Sequence, residues 1–141
     1  MLVTTKGRYA LRMMLNIAGY ETTDKIALRQ VAEEENISLK YLEQLAHSMV
    51  EAGLLSSARG HGGGYALARP ASEISIGDVL RTAEDGITPV ACAGLDDNCA
   101  DANKCSTLKF WEGLSKVISD YIDKPTLADL ATPRAGGDKA E

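Results

Sequence analysis

The chain has 141 residues, 45% hydrophobic and 25% charged, with a formal net charge of −5 and a sequence pI near 5.1. These values fit one folded domain, or one domain with an appended element, and argue against a chain that is disordered by default. Lys6, Arg8 and Arg12 interrupt the first apolar residues, which argues against a signal peptide, and no apolar run approaches the ~20 residues that span a bilayer, so a cytoplasmic protein is expected.

The charge is unevenly spread. Residues 1–70 carry eight Lys/Arg and seven Asp/Glu, a net +1, whereas residues 71–141 carry seven and thirteen, a net −6. Affinity for phosphates follows local basic groups and not the whole-chain pI. The acidic balance therefore leaves a DNA-binding role open to the first half, and predicts weak non-specific binding.

In residues 7–20, Leu11, Met14, Leu15 and Ala18 recur at helical spacing with Arg8, Arg12 and Asn16 between them, predicting a first amphipathic helix. A turn over 22–25 leads to a second helix over 27–34, which buries Leu28, Val31 and Ala32 and leaves Glu33, Glu34 and Glu35 as a solvated end. Asn36 and Ile37 break the pattern, and Ser38 is placed as an N-cap. Beyond it Leu39, Leu42, Leu45, Ala46 and Met49 make one apolar stripe, opposite a polar face of Lys40, Tyr41, Glu43, Gln44, His47 and Ser48. Gly53 stands where a left-handed residue ends the helix. Two helices joined by a tight turn, the second with an exposed hydrogen-bonding face, match a helix-turn-helix. An ordinary helical hairpin fits these residues alone equally well.

The next segment favours the first reading. Residues 54–59 and 65–69 are strand-like runs joined by Gly60, His61, Gly62, Gly63 and Gly64, whose glycines allow a tight hairpin and close backbone approach. A winged helix-turn-helix places such a hairpin beside the recognition helix, where an arginine near its tip, here Arg59, enters a minor groove. No Gly-Lys-Ser/Thr follows the glycines, which argues against a phosphate-binding P-loop, and His61 reads as a solvated loop histidine.

Ser75 with Asp78 three residues on makes a capping-box start for a short helix that uses Ile76, Val79, Leu80 and Ala83 and stops at Gly86. A loop over 89–105, rich in Gly, Asp, Asn and Ala, holds all three cysteines: Cys92, Cys99 and Cys105. An odd number of thiols without a secretion signal argues against a disulfide framework and for a metal site or redox chemistry. Ser106 or Thr107 caps a longer helix with a broad apolar stripe of Leu108, Trp111, Leu114, Ile118, Tyr121 and Ile122. In so small a chain this stripe is expected to pack against a second copy, with Gly113 at a close helix crossing; closure of the chain's own core is the other reading. Pro125 ends the helix, 127–130 forms a last turn, and 133–141 reads as a disordered tail.

The expected fold class is mainly α with a small β-hairpin wing. A winged helix-turn-helix domain spans 1–85, a cysteine-containing loop 86–105, and a dimerisation helix with its terminal turn 106–132.

Taken together, the Thr-Thr-Lys-Gly-Arg-Tyr-Ala start, the Ile-Ser-Leu-Lys-Tyr-Leu-Glu-Gln-Leu helix, the Arg-Gly-His-Gly-Gly-Gly-Tyr hairpin and the late three-cysteine loop strongly resemble the IscR-type family of bacterial winged-helix transcription regulators. That family includes iron–sulphur cluster biogenesis regulators, nitric-oxide-sensing and iron-sensing repressors, and regulators of cysteine metabolism. The resemblance covers about residues 1–130. It implies a homodimer on a pseudo-palindromic double-stranded DNA operator, with Ser38, Lys40, Tyr41, Glu43 and Gln44 touching bases and phosphates and Arg59 in the minor groove. The chemistry agrees, since Gln pairs with adenine, Glu accepts from cytosine N4 and excludes bases without a donor, and Arg favours narrow minor grooves.

The resemblance also implies an iron–sulphur cluster on Cys92, Cys99 and Cys105; an iron without a fourth protein ligand would suit a labile 4Fe–4S cluster, favoured over 2Fe–2S, that senses iron, oxygen or nitric oxide. Thiolates suit such clusters, and the spacing is not the Cys-x-x-Cys of common zinc sites. The fourth ligand departs from the family pattern. The histidine that biogenesis regulators place three residues after the third cysteine is here Leu108, and the acidic residue that nitric-oxide sensors supply from the partner chain is here Arg8. Asp96, Asp97, Asp101 or another carboxylate would complete the set, or one iron would stay open. A regulator without a cluster, using the cysteines as thiol redox switches or answering to a partner enzyme, is the alternative within this class. A small thiol oxidoreductase is the alternative outside it, opposed by the lack of a Cys-x-x-Cys pair and by a histidine set of only His47 and His61; no enzymatic activity is expected.

Overall fold

The computed structural model describes residues 3–20, 24–60, 63–89 and 106–134. Cys92, Cys99, Cys105, the loop carboxylates Asp96, Asp97 and Asp101, His61 and the tail from 135 onward lie outside the described residues.

The chain runs α1 (Thr5–Ala18), α2 (Leu28–Glu35), α3 (Leu39–Glu51), β1 (Leu55–Ala58), β2 (Gly64–Leu67), a single 3-10 turn (Ala71–Glu73), α4 (Ile76–Glu84), α5 (Leu108–Asp123) and α6 (Leu127–Leu130). Helix α1 is the central post. Its Ala10, Met13, Met14 and Ile17 are buried and meet Val31 from α2, Leu42 and Met49 from α3, Val79 from α4 and Leu127 from α6 in one cluster. Each of the larger of these side chains, moved from water to the interior, contributes roughly 1.5–3 kcal/mol.

Helix α1 begins at Thr4, whose side chain accepts from the Lys6 N–H at 3.1 Å, and a distant carboxylate completes the cap. Glu84, at the end of α4, accepts from the Thr4 N–H at 2.5 Å and the Gly7 N–H at 2.9 Å. Burial alone would raise the Glu84 carboxyl, but these bonds from Thr4 and Gly7 outweigh it and hold it below its ordinary range. Two N–H donors at the helix start are thus satisfied from α4, which fixes α4 against α1.

The α2–α3 turn follows the local chemistry. Asn36 takes the left-handed conformation at φ 56 and caps α2, Ile37 is buried, and the Ser38 hydroxyl accepts from the Tyr41 N–H at 3.3 Å. Gly53 leaves α3 at φ +79, as expected of a residue without Cβ. Strands β1 and β2 pair antiparallel, with Leu55 opposite Leu67 and Ala58 opposite Gly64. The hairpin is tied to the head of α2 by a bridge in which Ile26 and Tyr65 exchange both N–H···O bonds at 2.8 Å. Helix α4 carries both halves of the expected capping box, Ser75 and Asp78, and ends on left-handed Asp85 one residue before Gly86.

Two expectations are corrected. Glu34 and Glu35 are not left to solvent alone: Asn16 of α1, Tyr20 just past its end and Arg134 converge on them, whereas Glu33 has no such contact among the described residues; Glu33 and Glu34 stay exposed and Glu35 is half-buried. Pro133 and Arg134 do not open a loose tail, because the Arg134 N–H donates to the Gly19 carbonyl at 2.7 Å.

Helix α5 lies along the outside of this core. Its C-terminal end is clamped by a two-pronged Arg81–Asp123 pair at 2.7 and 2.9 Å. Ile118 and Ile122 pack on the core, so the apolar stripe closes the chain's own interior in part. No α5 residue is buried in the single chain, and Phe110, Val117 and Tyr121 are 64%, 64% and 75% exposed. Gly113 has nothing within 4 Å of an added Cβ. Among the described residues no helix is long and apolar enough to cross a membrane.

Candidate nucleic-acid interface

Helix α3 divides cleanly into two faces. Leu42, Leu45, Ala46 and Met49 are buried, while Lys40, Glu43, Gln44 and His47 are exposed. The residues at 40, 43, 44 and 47 recur at the three- and four-residue spacing that places side chains on one side of a helix. Ser38 is committed to capping, and His47 pairs with Glu51 one turn on, at 3.3 Å. Lys40, Glu43 and Gln44 have no side-chain hydrogen bond or ion pair among the described residues, so their polar atoms are open to an outside partner.

Tyr41 is placed differently from its neighbours. It is half-buried and meets Tyr9 of α1 edge-to-face, with ring centroids 5.8 Å apart at 78°. The guanidinium groups of Arg8 and Arg12 lie 5.9 and 5.5 Å from the Tyr9 ring centre, within cation–π range. The basic side of α1 is thereby brought up beside α3. The helical spacing of α1 places Arg8 and Arg12 between its apolar residues, and Tyr9 beside them is the sequence signal for this contact.

The wing stands next along the chain. Leu54 donates to the Met49 carbonyl at 2.9 Å, so β1 starts directly off the end of α3. Arg59 and Gly60 follow β1 at the hairpin tip, both exposed, and Gly60 accepts from the Gly63 N–H at 2.9 Å. At the other end of the hairpin Arg69 is held 3.9 Å from Asp78. Among the described residues the fold therefore brings Ser38, Lys40, Tyr41, Glu43 and Gln44 onto one helix and leaves Arg59 free on a hairpin rooted in it. It shows no cluster of His, Cys, Asp or Glu able to hold a metal ion; the three cysteines lie outside those residues.

This architecture recurs in proteins of known type. A family model described as "Rrf2: Iron-dependent Transcriptional regulator" matches residues 3–133. A helix-turn-helix-type transcriptional regulator of Neisseria meningitidis serogroup A is 42% identical over 138 residues, covering 98% of this chain and 93% of that protein. The transcriptional regulator IscR of Vibrio parahaemolyticus is 39% identical over 132 residues, covering 94% of this chain and 78% of its own. Among solved structures, CymR, the global cysteine regulator of B. subtilis, superposes with a TM-score of 0.75 at 33% identity, covering 93% of this chain and 96% of that one. The helix-turn-helix with its hairpin is thus a winged helix of the kind these regulators share, and the family's work is transcriptional regulation, not catalysis. By a match that runs almost end to end, the chain belongs to the Rrf2 family of transcriptional regulators.

Proposed function

We propose that the chain is a homodimeric, sequence-specific regulator, working in the cytoplasm, whose operator affinity is set by an iron–sulphur cluster on Cys92, Cys99 and Cys105. The observation that carries the DNA part is the polar face of α3, with Lys40, Glu43 and Gln44 exposed and uncommitted among the described residues, beside a wing that carries an exposed Arg59. In this reading α3 enters the major groove. Gln44 pairs with adenine, Glu43 accepts from cytosine N4, Lys40 and Tyr41 hold phosphates and Ser38 fixes the helix start. Arg59 occupies the adjacent minor groove.

The dimer follows from α5. Val117 and Tyr121, with Val3, Leu80, Ile87 and Ile118, line a groove that is apolar among the described residues, and Phe110 extends the exposed patch. A second α5 laid across it would bury that patch and use the open face at Gly113. Two linked reading heads then bind half-sites about one helical turn apart.

The donor set suits a cluster: three thiols within fourteen residues, with no Cys-x-x-Cys pair. Leu108 and Arg8, where family members place a fourth ligand, are not ligating side chains here, so a loop carboxylate such as Asp96, Asp97 or Asp101 completes the set or one iron stays open. A bound cluster supplies a redox- and ligand-sensitive centre. The chain's part is to place the cysteines between Ile87, buried in the core, and the start of α5, so that gain or loss of a cluster there would bear on the dimer helix. A few kcal/mol of differential stability suffices to shift such an equilibrium.

Anaerobic reconstitution tests the cluster. The expected result is visible charge-transfer absorption with matching iron and sulphide contents, lost in Cys92→Ser, and an operator affinity that differs between loaded and apo protein. A colourless protein after reconstitution contradicts it. The likeness to a regulator named for cysteine supports a second reading, a thiol switch without a cluster. An intramolecular disulfide formed by mild oxidation of apo protein, with a change in operator affinity, would select that reading.

A further inference from the structure

Beyond α6 the chain turns back over the far end of α1, and the last described residue, Arg134, sits one position past the stretch matched by the family model. Its backbone N–H is bound to the Gly19 carbonyl. Gly19 leaves no room for a side chain: an added Cβ would overlap the Thr132 carbonyl oxygen and crowd Arg134 Cγ at 3.2 Å. The Arg134 guanidinium lies 5.8 Å from the Tyr20 ring centre and reaches Glu34 Oε1 and Glu35 Oε2, each at 3.4 Å.

Those two carboxylates are the hub of the last turn of α2. Asn16, 2% exposed, donates to Glu34 at 3.1 Å and to Glu35 at 2.9 Å. The Tyr20 hydroxyl donates to Glu34 at 2.8 Å, and Arg12 Nε to Glu35 at 3.2 Å. Burial would raise the Glu34 carboxyl, but the bonds from Asn16, Tyr20 and Gln30 and the Arg134 charge hold it below its ordinary value. The next residue, Asn36, makes the left-handed turn that aims α3. At the other end, α6 is fixed by fully buried Leu127 and by a bridge between Ser75 and Thr126.

We propose that residues 131–134 form a strap that holds the end of α2 in the orientation α3 needs, with Arg134 as a positioning residue for operator binding. The strap is the covalent continuation of α5 and α6, so it gives that end of the molecule a grip on the reading head that does not pass through α4. The inference rests on the reading that α3 contacts the operator.

Two full-length variants attack the strap from opposite sides. Arg134→Ala removes the guanidinium. Gly19→Ala keeps Arg134 but displaces the strap, and because Gly19 sits at φ −74, ψ −16, alanine suits the backbone itself. Each is expected to lower operator affinity about three- to tenfold, the scale of a partly exposed charge network, and to speed amide exchange in residues 31–38. The slope of log affinity against log salt should stay unchanged, since Arg134 touches no phosphate in this account. Arg134→Lys, which keeps the charge without the fork, should recover part of the loss.

Unchanged exchange in 31–38 would overturn the strap. Faster exchange with unaltered affinity would overturn its positioning role. A salt slope smaller by about 1 would make Arg134 a phosphate contact instead. Failure of the underlying reading is separable: a Gln44→Ala variant that selects the same DNA sequence would remove α3 from the operator while the exchange result still stood.

Discussion

Replacing Arg59 by alanine is expected to weaken operator binding roughly tenfold to a hundredfold while leaving the melting temperature essentially unchanged. Arg59 is exposed and makes no hydrogen bond or ion pair among the described residues, so its loss removes nothing from the fold. Its energy is available only to a partner. An arginine in a narrow minor groove meets a concentrated negative potential and reads groove width, so the loss should be largest on A·T-rich flanks and small on G·C-rich ones. Fluorescence anisotropy on both operators, with thermal melts of the free protein, separates the outcomes. Equal affinity for wild type and variant would mean that the wing does not reach DNA.

Gly64→Ala is expected to damage the wing, at about 2–4 kcal/mol of stability. Gly64 has φ +150, a conformation L side chains rarely adopt, and an added Cβ would lie 2.6 Å from the Ile26 carbonyl oxygen and 3.0 Å from the Ala27 nitrogen. Those neighbours are backbone, held by the Ile26–Tyr65 bridge, and cannot rotate away as a side chain would. Relief requires the hairpin to leave α2, so the variant should melt earlier and lose operator binding together. By contrast Gly60, with φ +86 and nothing within 4 Å of a Cβ, meets only the backbone penalty. A Gly64→Ala protein with wild-type melting would show that the bridge is not what seats the wing.

The reading head was legible in the sequence because each of its signals is local. The Leu42, Leu45, Ala46, Met49 stripe, the Ser38 cap, Gly53 and the paired strands of the hairpin each follow from a few neighbouring residues, and the structure places them as their chemistry requires. Long-range polar pairing was not legible. Three consecutive glutamates at a helix end look solvated, and nothing nearby announces that Arg134, a hundred residues from Glu34, returns to meet two of them. The Tyr9–Tyr41 contact is hidden for the same reason, since each tyrosine alone suits a half-wet helix face. In α5 the stripe was visible but its division was not: Ile118 and Ile122 face the core while Phe110 and Val117, absent from the expected stripe, are turned outward. The family resemblance, carried by four motifs in one order, is matched by the relatives across 98% of the chain.

The central claim is that α3 reads DNA bases through Glu43 and Gln44. It is tested most directly by selecting bound sequences from a random DNA pool with wild-type protein and with Gln44→Ala. The account predicts a pseudo-palindromic site with half-sites about one helical turn apart, and a Gln44→Ala site that loses preference at one symmetry-related adenine pair while keeping the same spacing. An identical selected sequence for both proteins, or a wild-type protein that selects no sequence at all, would contradict it.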